Sequence, residues 1–192
     1  MKEKPKDMAD KKPAPSPEER RRLRVNAHVS RGLECMGEGR YEEALAAFDG
    51  ALAERGDAAR ALLGRAFALA RLGRHDAALD AAAELVNRDP ESAQAYHGRA
   101  VIYQVTGKAP EAEAAFERAI ALEPDNHAHY YNYACYWAAR GDAERCRENL
   151  ARALRIYPAG HIYAATDADF APFRDERWFQ ELVAFKEDGA QR

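Results

Sequence analysis

The chain has 192 residues, of which 47% are hydrophobic and 32% charged, and its 29 Lys and Arg nearly balance 32 Asp and Glu. This composition excludes a chain that is disordered throughout, and the formal net charge of −3 argues against a dedicated nucleic-acid-binding protein, which usually has a strongly basic balance. Because no apolar run approaches the ~20 residues needed to cross a bilayer, we expect no stable membrane insertion.

The first fifteen residues combine five lysines with several prolines and contain no continuous apolar stretch of the kind a signal peptide requires. Such a segment cannot bury enough apolar surface to offset the entropy lost on ordering. We therefore predict a disordered basic tail over residues 1–15, and export is not expected. Ordered structure is predicted to begin at Ser16 as a helix N-cap, with Pro17 at the first helical position and Glu19 three residues after the cap.

The strongest signal in the chain is a period of 34 residues. Gly39, Gly73, Gly107 and Gly141 are spaced at this interval, and several columns of small or apolar residues stay in phase with them. One such column holds Gly32, Ala66, Ala100 and Ala134, and another holds Ala44, Ala78, Ala112 and Cys146. The period divides the chain into four repeats, residues 25–58, 59–92, 93–126 and 127–160.

Each repeat contains two amphipathic segments of about a dozen residues with apolar positions three and four apart, which is typical of a helical hairpin. Small residues at matching places, such as Ala66 and Ala78, allow the two helices to approach closely. The repeated glycine suits a left-handed C-cap after the first helix, and a proline such as Pro90 ends the second. No segment shows sustained alternation, so we expect no strands.

Residues 161–192 break the period but keep helical patterning. Thr166 or Asp167 is a suitable cap for a short helix through Phe170 and Phe173, and Asp175 for another that holds Trp178, Phe179, Leu182 and Phe185. A stack of repeats leaves an apolar end face that must be covered, so we predict that this segment forms a helical cap.

The stretches "AYHGRAVIYQVTGKAPEAEAAFERAIALEPDN" and "GRYEEALAAF" resemble tetratricopeptide repeats. In the third repeat the matching residues are Ala100, Tyr103, Gly107, Ala112, Phe116, Ala119 and Pro124. The resemblance implies an all-α protein, a right-handed superhelix of four antiparallel helix pairs with a concave groove and C-terminal capping helices.

By the same resemblance, the second, fifth, ninth and twelfth places of each first helix face the groove, and these places do share one helical face. The ninth place is apolar in every repeat, and we call Leu33, Phe67, Val101 and Cys135 the apolar stripe. An exposed apolar stripe usually marks an interaction site. Together with Asn132, which is placed to reach a peptide backbone, the predicted groove residues are Val29, Leu33, Met36, Arg60, Leu63, Phe67, Gln94, His97, Val101, Gln104, Tyr131, Asn132 and Cys135.

Two alternatives apply to these patterns. Tight curvature, or the C-terminal segment folding back, would bury the stripe. Arg31, Arg65 and Arg99 recur at one place of the first helices and either form an anion-binding ladder or pair with nearby acidic side chains, and we favour the second. Val29 and Leu33 also occupy places where the clamp for chaperone-tail carboxylates has Lys and Asn, which disfavours that class of partner.

No arrangement of reactive residues indicates an enzyme, a cofactor or a metal. His127 and His129 are two apart and lie on opposed sides of a helix. Cys35, Cys135 and Cys146 are too few and too scattered for a disulfide framework, which favours a reducing, cytoplasmic location.

The sequence therefore predicts a non-catalytic adaptor that binds an apolar or amphipathic segment of another protein in its groove. Two alternatives stay open. One is a self-associating module that forms a homodimer, and the other is a regulatory subunit that acts through the basic N-terminal tail.

Overall fold

The computed structural model describes residues 14–54 and 59–184, and all regular structure within these ranges is helical. The eight longer helices follow one another as four hairpins, and a shorter helical segment closes the chain. The helices are α1 Pro17–Gly37, α2 Tyr41–Ala53, α3 Ala59–Arg71, α4 His75–Arg88, α5 Ala93–Val105, α6 Ala109–Leu122, α7 His127–Ala139, α8 Ala143–Ile156, α9 His161–Thr166 and α10 Arg177–Val183. The predicted all-α fold is confirmed. Most of the predicted tail, residues 55–58 and residues 185–192 lie outside the described residues.

The local signals at the helix ends are present where the sequence predicted them. The Ser16 hydroxyl oxygen accepts a hydrogen bond from the Glu19 backbone N–H (3.1 Å), and the Ser16 N–H donates to the Glu19 carboxylate (2.7 Å). This reciprocal capping box satisfies two N–H groups that the first turn of a helix leaves unpaired. The glycines that follow the first helix of each hairpin all have a positive φ, between 72° and 76°, and are Gly39, Gly73, Gly107 and Gly141.

Small residues bring the helices of each hairpin together. Ala66 and Ala78 are fully buried in one core cluster, and Ala100 and Ala112 are fully buried in another. Because an alanine keeps the side-chain layer between two helices thin, the backbones can pack at close range. The predicted role of these columns is confirmed.

Glycines on the first helices receive large side chains from neighbouring helices. The Phe48 ring of α2 lies against Gly32 of α1 and Gly64 of α3, so that one ring contacts two successive hairpins. A Cβ atom on Gly64 would overlap this ring, and a Cβ on Gly98 would overlap Leu63 Cδ1. These positions therefore admit no side chain without displacing the ring or the leucine.

The junction between the third and fourth hairpins is built differently, from aromatic rings. Phe116 of α6 stacks on Tyr133 of α7 with ring centroids 5.0 Å apart, and it also contacts Tyr136 and His97. The backbones of α6 and α7 are packed less closely than those of α2 and α3 or of α4 and α5. Larger side chains thus widen this junction, which belongs to the same core cluster as Trp137 and Trp178.

The C-terminal segment covers the end of the last hairpin, as predicted. Phe170, Phe173 and Phe179 are buried against α7 and α8. Asp167 caps Ala168–Phe173, which is a 3-10 rather than an α-helix, by accepting from the Asp169 N–H (3.0 Å). The predicted capping role of Asp175 is wrong. Helix α10 begins at Arg177, so its N-cap is Glu176, and that residue makes no side-chain capping bond.

We expect Gly64→Ala to destabilise the protein by about 1–3 kcal/mol, because the added methyl group overpacks the Phe48 contact. The matched control is Gly37→Ala at the end of α1, where a Cβ atom meets nothing within 4 Å. This change is expected to be neutral or to stabilise by up to about 1 kcal/mol. Urea unfolding of both variants measures these changes. Equal stability of the two variants would show that the contact between Phe48 and Gly64 leaves room for a methyl group.

Phe170→Ala is expected to lower the free energy of unfolding by about 3–5 kcal/mol, since it removes a fully buried ring from the cap. Tyr163→Ala in the adjacent α9 is the control, because that side chain is 65% exposed and a change there costs about 0.5 kcal/mol or less. Chemical denaturation measures both. Similar losses in the two variants would show that the cap does not depend on the Phe170 contact.

Candidate functional site

The predicted groove residues lie on the first helices of the hairpins, α1, α3, α5 and α7, where α1 packs on α3 and α3 on α5. Their exposure differs along the groove. Arg60 and Gln94 are exposed, whereas Met36, Leu63, His97, Gln104, Tyr131 and Asn132 are half-buried.

The apolar stripe is not exposed along its whole length, which corrects the prediction of a continuous exposed surface. Leu33 is 50% exposed, Phe67 and Val101 are half-buried, and Cys135 is only 9% exposed. Val29 is buried too, because it packs against Ala51 and Ala61 in the core between the first two hairpins. The accessible part of the stripe therefore lies over the first three repeats.

The C-terminal segment covers the stripe at the fourth repeat, which was one of the two alternatives drawn from the sequence. The Tyr131 hydroxyl donates to Asp167 Oδ2 (2.7 Å), and its ring meets Phe170 edge-on with centroids 5.5 Å apart. Burial first, and then the hydrogen bond to Asp167, raise the pKa of Tyr131 above its ordinary range. This tyrosine is thus a fixed part of the contact between α7 and the cap.

Two carboxylates stand beside Cys135 at this covered end. Single side-chain ligand atoms of Cys135, Asp167 and Asp169 all lie within 4.8 Å of one another. Burial raises the pKa of the Cys135 thiol, and the two carboxylates raise it further, so the thiol is protonated at neutral pH. Sequence reasoning missed this group because Cys135 is more than thirty residues from the aspartates and no motif connects them.

A second group that sequence reasoning missed is a hydrogen-bonded histidine pair. Nδ1 of His97 lies 3.2 Å from Nδ1 of His129, and Nε2 of His129 lies 3.0 Å from Glu123 Oε2. Either ring nitrogen of a histidine can donate or accept, and these contacts join His97 of α5 to His129 of α7 and to the Glu123 carboxylate. His127 lies on the opposite side of α7, as predicted, and stacks on Tyr157.

Two of the three recurring arginines, Arg65 and Arg99, make side-chain contacts within the fold. Arg65 Nε lies 2.9 Å from Asp49 Oδ1 on the preceding hairpin, and Arg99 donates to the hydroxyl oxygen of Tyr103 (2.6 and 2.9 Å). Arg65 thus pairs with an acidic side chain, as the structural alternative predicted, whereas the partner of Arg99 is a tyrosine hydroxyl.

Stability is expected to fall as the pH is lowered from about 6.5 to about 4. Burial, and to a smaller degree the neighbouring His129, lower the pKa of His97 to about 4 from its ordinary value of 6.5. The unfolded chain therefore binds a proton in this window that the folded chain does not. The loss is at most about 1.4 kcal/mol per pH unit for one proton.

Urea unfolding at several pH values measures this slope. His97→Gln is expected to flatten it, whereas His75→Gln at the exposed start of α4 is the control and is expected to retain it. An unchanged slope in His97→Gln would show that other groups cause the pH dependence.

The fold defines a class: an α-solenoid of nested helical hairpins. Family models for the tetratricopeptide repeat match residues 36–102 and residues 93–126. The chain is a tetratricopeptide repeat (TPR) protein. None of the curated proteins compared with it is significantly similar in sequence.

Solved TPR structures share this fold at low sequence identity. TTC0263 from Thermus thermophilus superposes with a TM-score of 0.65 at 20% identity, covering 83% of this chain and 86% of its own. PilF of Pseudomonas aeruginosa gives a TM-score of 0.65 at 18% identity, covering 90% and 79%. YrrB, described as a TPR protein with an unusual peptide-binding site, gives 0.51 at 21% identity, covering 70% and 69%.

None of the helices in residues 14–54 and 59–184 is both long enough and apolar enough to cross a membrane.

Proposed function

We propose that this protein is a non-catalytic adaptor whose groove holds an apolar or amphipathic segment of another protein. The observation that carries the proposal is Leu33, an apolar side chain 50% exposed on the groove face of α1 and in line with Phe67 and Val101. Exposure of such apolar surface to water is unfavourable in free energy, so covering it contributes to the binding of a partner. The peptide-binding site of YrrB, a protein of similar fold, supports a partner that is a polypeptide.

The two ends of the groove differ. At the first end, exposed polar side chains such as Asn26 and Arg60 line a cavity of about 520 Å³ that reaches the first turn of α1. The other end of the groove is the C-terminal cap over Tyr131 and Cys135. A segment that uses Leu33, Phe67 and Val101 therefore crosses the first helices of three hairpins, which favours an extended strand or one helical face.

A second candidate function is self-association through the end of the array. Ile162 and Tyr163 of α9 are 69% and 65% exposed, although residues of this size are usually covered. Light scattering at several concentrations tests for a homodimer, and Ile162→Glu should abolish the dimer if this surface is the contact.

The proposed location is cytoplasmic. Regulation through the basic N-terminal tail stays a proposal that rests on the sequence alone.

Leu33→Arg is expected to reduce the amount of bound partner strongly, because it places a charge in the middle of the accessible apolar surface. Leu23→Arg is the matched control: it makes the same change on the same helix at a 58% exposed site outside the stripe. Phe67→Arg and Val101→Arg are less informative, because both side chains also pack against core clusters and their replacement would affect folding as well as binding.

The measurement is quantitative mass spectrometry of proteins retained from a lysate by each immobilised variant, with circular dichroism as the test of folding. A set of partners that Leu33→Arg loses and Leu23→Arg retains supports the groove as the binding site. An identical set in both folded variants would remove the groove as the binding site.

A further inference from the structure

The closed end of the groove carries negative charge. Asp167 and Asp169 stand at the start of the 3-10 helix Ala168–Phe173, and their carboxylates lie next to Cys135, the last member of the apolar stripe. Val101, the preceding member of the stripe, packs against the same core cluster as Cys135. An apolar surface that begins at Leu33 therefore ends at a pair of carboxylates.

These carboxylates have no cationic partner among the residues that the structure describes. The nearby Arg174 donates to the backbone carbonyl of Asp167 (3.0 Å) rather than to either carboxylate, and no described lysine or arginine forms an ion pair with them. Two like charges held this close repel each other, so a cation placed between them is stabilised.

A basic side chain is the cation that a polypeptide bound in the groove would bring to such a pair of carboxylates. Each oxygen of Asp167 accepts one hydrogen bond, from the Tyr131 hydroxyl or from the Asp169 N–H, which leaves lone pairs on this carboxylate for a further donor. The Cys135 thiol beside them is buried. A lysine or arginine needs only free lone pairs on carboxylate oxygens, and the exposed Asp169 offers them.

We propose that the segment bound in the groove carries a lysine or arginine that pairs with Asp167 and Asp169, next to apolar residues that cover Val101, Phe67 and Leu33. The inference rests on the proposed function, because it specifies the chemistry of the partner in the same groove. The acidic end sets the register of the segment, and the apolar stripe supplies most of its buried surface.

The test is a selection of random dodecapeptides displayed on phage against the immobilised full chain, repeated with the double variant Asp167→Asn, Asp169→Asn. The matched control is Asp80→Asn, which removes one exposed carboxylate from α4. The selection works whether or not the natural partner has been identified. Peptides enriched by the unmodified chain and by Asp80→Asn are expected to combine apolar residues with a lysine or arginine at one fixed place. The double variant is expected to select apolar residues without that preference.

Fluorescence anisotropy on the most enriched peptide then measures the contact. We expect the double variant, and separately a glutamate in place of the basic residue of the peptide, to weaken binding about tenfold or more. Combining both changes should cost less than the sum of the two, because they remove the same interaction.

The outcomes separate this inference from the proposed function. Apolar peptides that depend on Leu33 but show no basic preference would overturn the inference and leave the groove as the binding site. Enriched peptides indifferent to Leu33→Arg would overturn both. Binding abolished by a chelator would assign the carboxylates to a metal ion, and a dimer lost in the double variant would assign them to a second copy. Either result overturns the proposal.

Discussion

Close approach of helix backbones is the constraint on which the rest of this molecule depends. Alanines and glycines recur where helices face each other, and residues such as Ala44, Ala78 and Ala112 are fully buried. Each hairpin contacts mainly its neighbours, so the position of every hairpin is set by the junctions before it. A larger side chain at one junction would therefore change the relative placement of Leu33, Phe67 and Val101 without touching any of them.

The junctions are not equivalent. Between the first two hairpins, Phe48 fills the space left by Gly32 and Gly64, and the contact is tight because no Cβ intervenes. Between the last two, the rings of Phe116 and Tyr133 stack on each other and the histidine pair adds a hydrogen bond. The repeat pattern is regular in sequence, yet the contact between successive repeats changes from one ring packed on glycines to stacked rings and a hydrogen-bonded histidine pair.

The sequence predicts what depends on local chemistry. The repeat boundaries read from the period coincide with the first residues of α5 and α7. The capping box and the four left-handed glycines depend only on a few neighbouring residues. The burial of Val29 and Cys135 could not be predicted in this way. It depends on rotations between repeats and on a segment outside the period, and the period encodes neither.

The charged end of the groove was not predicted for the same physical reason. Asp167 has a local role as a cap, and the sequence does suggest that role. That its carboxylate also meets Tyr131, 36 residues earlier, depends on where the cap is packed. Pairs of this kind, like His97 and His129, are brought together only by the stacking of hairpins.

Both tryptophans of the chain belong to one end of the molecule. Trp137 lies in the core of the fourth hairpin and Trp178 packs against the same cluster from the cap. Their intrinsic fluorescence therefore reports on the C-terminal third of the array, whereas the far-ultraviolet signal sums over every helix. Comparing the unfolding transitions of these two signals therefore measures whether the stack unfolds as one cooperative unit or begins at one end.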